Sequence, residues 1–349
     1  MSQALFISSA SVAPRARLIS ATTKIIIFFI CALSLSVATF RNNSKPKAFL
    51  WRKCKIKPAN EEILNNCSLM EKSNIEALAL GGFDGLHLGH RALMDRLGKK
   101  GALLVIEHNR VCLTPGCFRE RFSKHPIFIC SLELVRGDSP EQFIDRLQRE
   151  FPNLRNVVVG YDFKFGKDRA AGAEDLRKLF KGETVIIPEV SFEKTAIHAT
   201  WIRSLIIEGD VARAARLLGR AHLIEGNIVR GQGVGARELF PTINLNVRQF
   251  VVPKDGVYAT KTEIGGTMYP SVSFIGERLS TDGAFSIETH IIDKKSNVDF
   301  ADCKKAIIWF IDRVRNNRKF NDLSLLKYRI ARDIEDAERI LRRYDEYLD

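Results

Sequence analysis

Residues 81–90 read GGFDGLHLGH, directly behind the apolar run IEALAL (75–80). Histidines stand at 87 and 90, glycines at 82, 85 and 89, and an acid at 84. A strand that stops in glycines and opens a helix makes an anion site, because the first N–H groups of a helix lack intrahelical partners and carry partial positive charge. Glycine lets the backbone approach a phosphate closely. His87 and His90 add two side-chain donors that could hold a triphosphate and stabilise charge gathering on a pentavalent phosphorus and a departing pyrophosphate. Such a transfer needs positioning and charge stabilisation rather than a side-chain nucleophile. Further along, glycines 231, 233 and 235 form a GxGxG run that, taken alone, fits a flexible linker as well as a flap. Glu288, taken alone, is a strand carboxylate with His290 two residues on and therefore on the same side.

These residues need a frame. Apolar runs at 75–80, 102–107 (ALLVIE), 126–132 (PIFICSL), 156–160 (NVVVG) and 184–190 (TVIIPEV) read as buried strands. Helical stretches alternate with them: GHRALMDRLGKKG with its face of Leu93, Met94 and Leu97, SPEQFIDRLQREF with Ser139 as N-cap and Pro140 in the first turn, and AGAEDLRKLFKG ending at Gly182. The alternation predicts a parallel sheet with helices on both faces. Residues 201–220 are helical with a break at Gly209-Asp210, where Asp210 can cap the second half. From about 223 the texture changes to short β-rich runs separated by Gly, Pro, Asn and Asp, which predicts a small antiparallel barrel or sandwich. Residues 322–348 close the chain as one amphipathic helix.

The formal net charge of +13 invites a nucleic-acid reading, but residues 1–69 carry ten Lys/Arg against two acids. The other 280 residues carry only +5, a weak basis for a nucleic-acid surface and compatible with phosphorylated small molecules. The seven cysteines form no CxxC pair and their number is odd, so reduced thiols in a cytosolic protein are expected. Residues 25–40 (IIIFFICALSLSVATF) are uncharged, short for a bilayer span, and resemble the apolar region of a secretory signal. Two expectations stand for 1–69: a signal or anchor, or an extension outside the native fold, with Met70 as a natural start. No membrane partner is expected unless residues 24–40 are a genuine anchor.

Gly82–His90 resembles the FDGxHxGH nucleotide-binding turn of the bacterial bifunctional riboflavin kinase/FAD synthetase family. Further stretches match that family in order. VVVGYDFKFGKDRAAG (157–172) resembles its flavin-side loop, and IHATWIRSLIIEGDVARAARLLGR (197–220) its ISSTxIR…GDVxxAxxLLGR segment. GNIVRGQGVGARELFPTINL (226–245), PKDGVYAT (253–260) and FSIETHIID (285–293) resemble the opening segments and the glutamate strand of its kinase domain. The resemblance spans about 75–349.

It implies an α/β, Rossmann-like HxGH nucleotidyltransferase domain at 70–220, then a small antiparallel riboflavin kinase-like β-barrel with a C-terminal helix at 221–349. The first would adenylylate FMN from ATP, giving FAD and pyrophosphate. His87, His90 and Arg203 would act on the phosphates, with Gly82, Asp84, Gly85, Gly89 and Thr200 beside them, and Asp162 and Phe163 would line the flavin side. The second would phosphorylate riboflavin to FMN. Glu288 would be its base, Thr242 and Asn244 would hold Mg2+, and Gly231, Gly233 and Thr242 would meet ATP. Both halves would work in the cytoplasm on small molecules. The chain departs from the family pattern at several points. His198-Ala199 replaces two serines, IEHN replaces FxPHP, RELFPT lacks a glycine, and Phe274 and Leu279-Ser280 replace Asn and Pro-Thr. An adenylyltransferase with a non-catalytic flavin-binding barrel is the alternative, and a non-catalytic flavin or nucleotide sensor a third reading.

Overall fold

The computed structural model describes residues 64–66, 70–108, 110–229, 240–280, 282–292 and 303–346. They belong to a single compact unit spanning 60–349. Its first half is a six-stranded sheet of β1 (Leu64–Asn66), β2 (Ala77–Gly81), β3 (Gly101–Glu107), β4 (Ile127–Ser131), β5 (Asn156–Gly160) and β6 (Glu183–Ile187), in the order β1-β4-β3-β2-β5-β6. Strands β2 to β6 pair in parallel. The central residues of β2, β3 and β5 are buried without alternation, as strands covered on both faces require. The order reverses between β2 and β5, which opens a crevice at the carboxyl ends of those strands.

Helices α1 (Leu88–Met94), α2 (Pro140–Glu150) and α3 (Ala173–Leu179) join these strands. Ser139 and Gln142 form a reciprocal capping box at the start of α2, with Pro140 in its first turn. Helix α1 stops at Met94, a turn short of the expected Gly98. The crossover from β3 to β4 contains a 3-10 segment, Gly116–Phe122, in place of an α-helix.

Three residues of the stretch expected to lie outside the fold add an edge: β1 pairs antiparallel with β4. The rest of 1–69, including the apolar run 25–40, lies outside the described residues. Cys112, Cys130 and Cys303 are free thiols.

Helices α4 (Ala199–Glu208) and α5 (Val211–Leu218) meet at Gly209, which takes the left-handed conformation (φ 89°), and Asp210 caps α5 by accepting from the Arg213 amide. Beyond them six strands close an antiparallel barrel: β7 (His222–Val229), β8 (Ile243–Val247), β9 (Gly256–Ile264), β10 (Thr267–Glu277), β11 (Phe285–Ile291) and β12 (Lys305–Asn316). β12 pairs with both β9 and β7, which closes the ring and leaves no free edge. The terminal helix α6 (Leu323–Glu346) packs Ala337 and Leu341 onto the wall formed by Val257, Ala259, Val272 and Ile311. The expected boundary at 220/221 falls inside a shared core. Leu113, Ile202, Leu205, Leu217 and Leu218 cluster with the barrel residues Ile224, Phe250, Ile308 and Phe310.

Candidate active sites

The turn after β2 is held in a conformation that ordinary residues avoid. Phe83 (φ 43°) and Leu86 (φ 41°) have positive φ without being glycine, and Gly85 (φ 82°) lies between them. A Cβ at Gly85 would come 2.9 Å from Leu113 Cδ1, so this glycine serves the turn and its packing. Sparsely populated backbone of this kind persists where its surroundings over-determine it. Here Asp84 Oδ1 accepts from the amides of Leu113 (2.7 Å) and Thr114 (3.1 Å), and the Gly85 amide donates to Thr114 Oγ1 (2.8 Å). Arg119, 1% exposed, lies beneath. Its Nε donates to the Phe83 carbonyl (3.2 Å) and its Nη1 to Glu107 Oε1 (2.6 Å) and the Gly116 carbonyl (3.1 Å).

The turn ends at His87, the N-cap residue of α1, and His90 lies in the first turn of that helix. The two imidazoles stack at 3.7 Å between centroids and 21° between planes. Burial pushes His87 down to about 4, with His198 adding to the shift and the Asp84 carboxylate opposing it. Burial holds His90 well below the usual imidazole range, helped by its neighbours His87 and Arg119. Both rings are therefore neutral near pH 7, each with one N–H and one lone pair to offer. His87 Nδ1 and His90 Nδ1 are buried without a hydrogen-bond partner, as is Arg203 Nε. Buried polar atoms of this kind are costly unless something else satisfies them.

The three residues line a cavity of about 850 Å³ at the carboxyl ends of the strands. Gly82, His87, Gly89, His90, Thr200 and Arg203 line one part of it, and Tyr161, Asp162 and Phe163 another. The structure thus brings together most of the residues the sequence singled out for adenylyl transfer. Asp84 also lines the cavity, and both of its carboxylate oxygens are engaged within the protein. Its Oδ1 is taken by two backbone amides and its Oδ2 by the Arg203 guanidinium, and a carboxylate repels phosphate, so it braces the turn and aims Arg203. Gly85, unlike Asp84, is absent from the cavity wall. Phe163 lines the cavity and stacks on Phe165 (5.7 Å, 18°), which is itself buried core.

The second site lies on the outer wall of the barrel. Asn244 is the cross-strand partner of Glu288, and Glu288 is also opposite Phe274. Alternation puts Thr242 and Asn244 on one face with Glu288 and His290. Glu288 Oε1 sits 3.3 Å from Arg278 Nη1, and Arg278 also pairs with Asp282 (2.8 Å). A narrower cavity of about 170 Å³, lined by Thr242, Phe274, Arg278, Glu288, His290 and Asp333 among others, lies between this face and α6. Gly231 and Gly233 lie outside the described residues. Sequence reasoning missed Arg119, Thr114, Glu107 and Arg278. Thr114 and Arg119 reach the turn from 29 to 37 residues away, which no local pattern marks.

A riboflavin kinase family model matches residues 218–341, and a FAD synthetase family model matches residues 133–201. Fold and sites together define a two-site transferase class, an α/β nucleotidyltransferase half followed by a flavokinase barrel. The chain is 28% identical over 301 residues to a bifunctional riboflavin kinase/FMN adenylyltransferase of Bacillus subtilis, covering 78% of this chain and 94% of that one. Proteins of the same description from Pseudomonas fluorescens (27%, covering 74% and 90%) and Escherichia coli K12 (28%, covering 73% and 90%) are also similar. This chain belongs to the bifunctional riboflavin kinase/FMN adenylyltransferase family. The crystal structure of a macrolide-efflux protein from Streptococcus pneumoniae superposes with a TM-score of 0.67 at 26% identity, covering 78% of this chain and 97% of that one. Among the described residues no helix is long and apolar enough to cross a membrane.

Proposed function

We propose that this chain makes both flavin nucleotides: ATP-dependent phosphorylation of riboflavin to FMN on the barrel, and adenylylation of FMN to FAD in the large cavity. What supports the reading is that both sites are assembled in one chain that matches both family models. In the adenylyl reaction an oxygen of the FMN phosphate bonds to the α-phosphorus of ATP. The bond from that phosphorus to the α,β-bridging oxygen breaks, and pyrophosphate leaves with the electron pair. His87 and His90, neutral and pre-oriented by stacking, each offer one ring N–H, and Arg203 is held over the phosphates by Asp84. Phe163 offers a ring face to the isoalloxazine.

In the kinase reaction Glu288 takes the proton of the riboflavin terminal hydroxyl as its oxygen attacks the γ-phosphorus and ADP departs. The Thr242 hydroxyl and the Asn244 carbonyl are hard oxygen donors, and among the described residues neither is engaged by another side chain. That donor set fits Mg2+, which takes few protein ligands beside substrate phosphates. When bound, the ion neutralises phosphate charge. The reactions consume ATP, which points to the cytoplasm.

The experiment is incubation of the full chain with riboflavin, ATP and Mg2+, with the flavins resolved by chromatography. FMN and FAD together are expected. FAD formed only from supplied FMN would support the adenylyltransferase-only reading, which the pairing of Glu288 with Arg278 and the apolar Phe274 beside it favour. Neither product would leave a non-catalytic binding protein.

A further inference from the structure

The large cavity holds a third histidine. His198 is the N-cap residue of α4, yet its side chain caps no amide of that helix. The ring lines the cavity and is half exposed, with Nδ1 3.8 Å from Asp162 Oδ2 on the flavin side. The same cavity is lined by the stacked pair, and His198 is close enough to act electrostatically on both of its rings. The backbone enforces that approach. A Cβ at Gly89 would come 3.1 Å from the His87 ring and 3.7 Å from the Ile197 carbonyl, so the start of α1 and the residue before His198 close on one another. His198 therefore stands between the wall formed by His87, His90 and Arg203 and the wall formed by Asp162 and Phe163.

That is the place where two anions must meet. Joining FMN to the α-phosphate brings negative groups into contact, and the donors already described are poorly supplied with charge. His87 and His90 are neutral, and Arg203 is shared with Asp84. The family pattern has a serine at this position, whose hydroxyl reaches less far than an imidazole. We propose that His198, steadied by Asp162, is a catalytic residue of adenylyl transfer that donates a hydrogen bond to the phosphates as they join. The bonds made and broken are those given above, and His198 transfers no proton. The proposal rests on the adenylyl-transfer reading of this cavity.

The test uses the full chain with the substitutions His198→Ala, His198→Ser and Asp162→Asn. FAD formation from FMN, ATP and Mg2+ is measured to separate kcat from each KM, and binding of α,β-methylene-ATP is measured by calorimetry. Removing one transition-state donor should lower kcat in His198→Ala by about tenfold or more. Analogue affinity should change by less than about threefold, as for an interaction made only in the transition state. His198→Ser should recover part of the rate, and Asp162→Asn should fall between wild type and His198→Ala. FMN formation from riboflavin on the barrel reports that each variant is folded. If His198→Ala and His198→Ser both lose the two activities together, the residue is structural and the proposal fails. It also fails if His198→Ala keeps kcat and both KM values within twofold, or if it loses analogue affinity with kcat unchanged. A wild-type chain that makes no FAD removes the reading beneath the proposal, a result distinct from an active wild type matched by its variants.

Discussion

The two sites receive the same donor, ATP, with opposite arrangements of charge. At the sheet edge the polar atoms are left open: two buried imidazole nitrogens and one guanidinium nitrogen have no partner, around a cavity of about 850 Å³. On the barrel, ions that line the cavity pair with one another, although Ser286 Oγ and Arg329 Nε nearby lack a hydrogen-bond partner. Arg278 pairs with Asp282 and Glu288, and Arg315 and Arg329 converge on Asp333, around a cavity of about 170 Å³. The first site is built to be completed by an anion. The second is held in register by its own ion pairs, so that Glu288 already has a cation beside it. The turn of the first site gains its rigidity from buried hydrogen bonds of Asp84 and Arg119, so its open donors do not collapse onto one another.

The comparison can be broken at each of its terms. Asp333 is 2% exposed and holds two arginines, so Asp333→Ala should cost about 3–5 kcal/mol of stability in urea unfolding. The same change at Glu193, whose pair with Arg213 is half exposed, should cost about 0–1 kcal/mol. At the sheet site His90→Ala should lower FAD formation by about 10²–10³-fold, with FMN formation from riboflavin retained within twofold. Gly89→Ala places a methyl against the His87 ring and should raise the KM for ATP by about fivefold, through displacement of a donor rather than its loss.

A further effect concerns pH. The folded His87 is pushed down to about 4 from its ordinary 6.5, so the unfolded chain binds a proton in that interval that the folded chain refuses. Stability should therefore be fully present above pH 6.5 and fall as the pH is lowered toward about 4. Thermal melts should follow that course, and a melting temperature flat across the interval would contradict the burial of a neutral imidazole.

The sheet site was largely legible because its residues are contiguous. Glycines, two histidines and the preceding apolar run occupy one stretch, and the strand–turn–helix reading follows from them. Arg119 was not legible. It reaches the Phe83 carbonyl across 36 residues, from a segment (GCFRERF) without helical or strand periodicity. β1 was not legible either, since three residues, LNN, carry no alternation and gain their conformation from pairing with β4. The barrel strands were visible as short apolar runs between turn residues. Their closure was not, because it depends on β12 pairing with β7, which no local pattern states. Phe274 departs from the family pattern in the sequence itself, but only the pairing of β10 with β11 shows that it lies opposite Glu288.

The central claim is that two sites in one chain divide the two reactions. It is tested most directly by Glu288→Gln in the full chain, with FMN formation from riboflavin and FAD formation from supplied FMN measured side by side. Loss of a general base should lower FMN formation by about 10²-fold or more and leave FAD formation within twofold of wild type. Equal loss of both, or FMN formation that persists, would contradict the division.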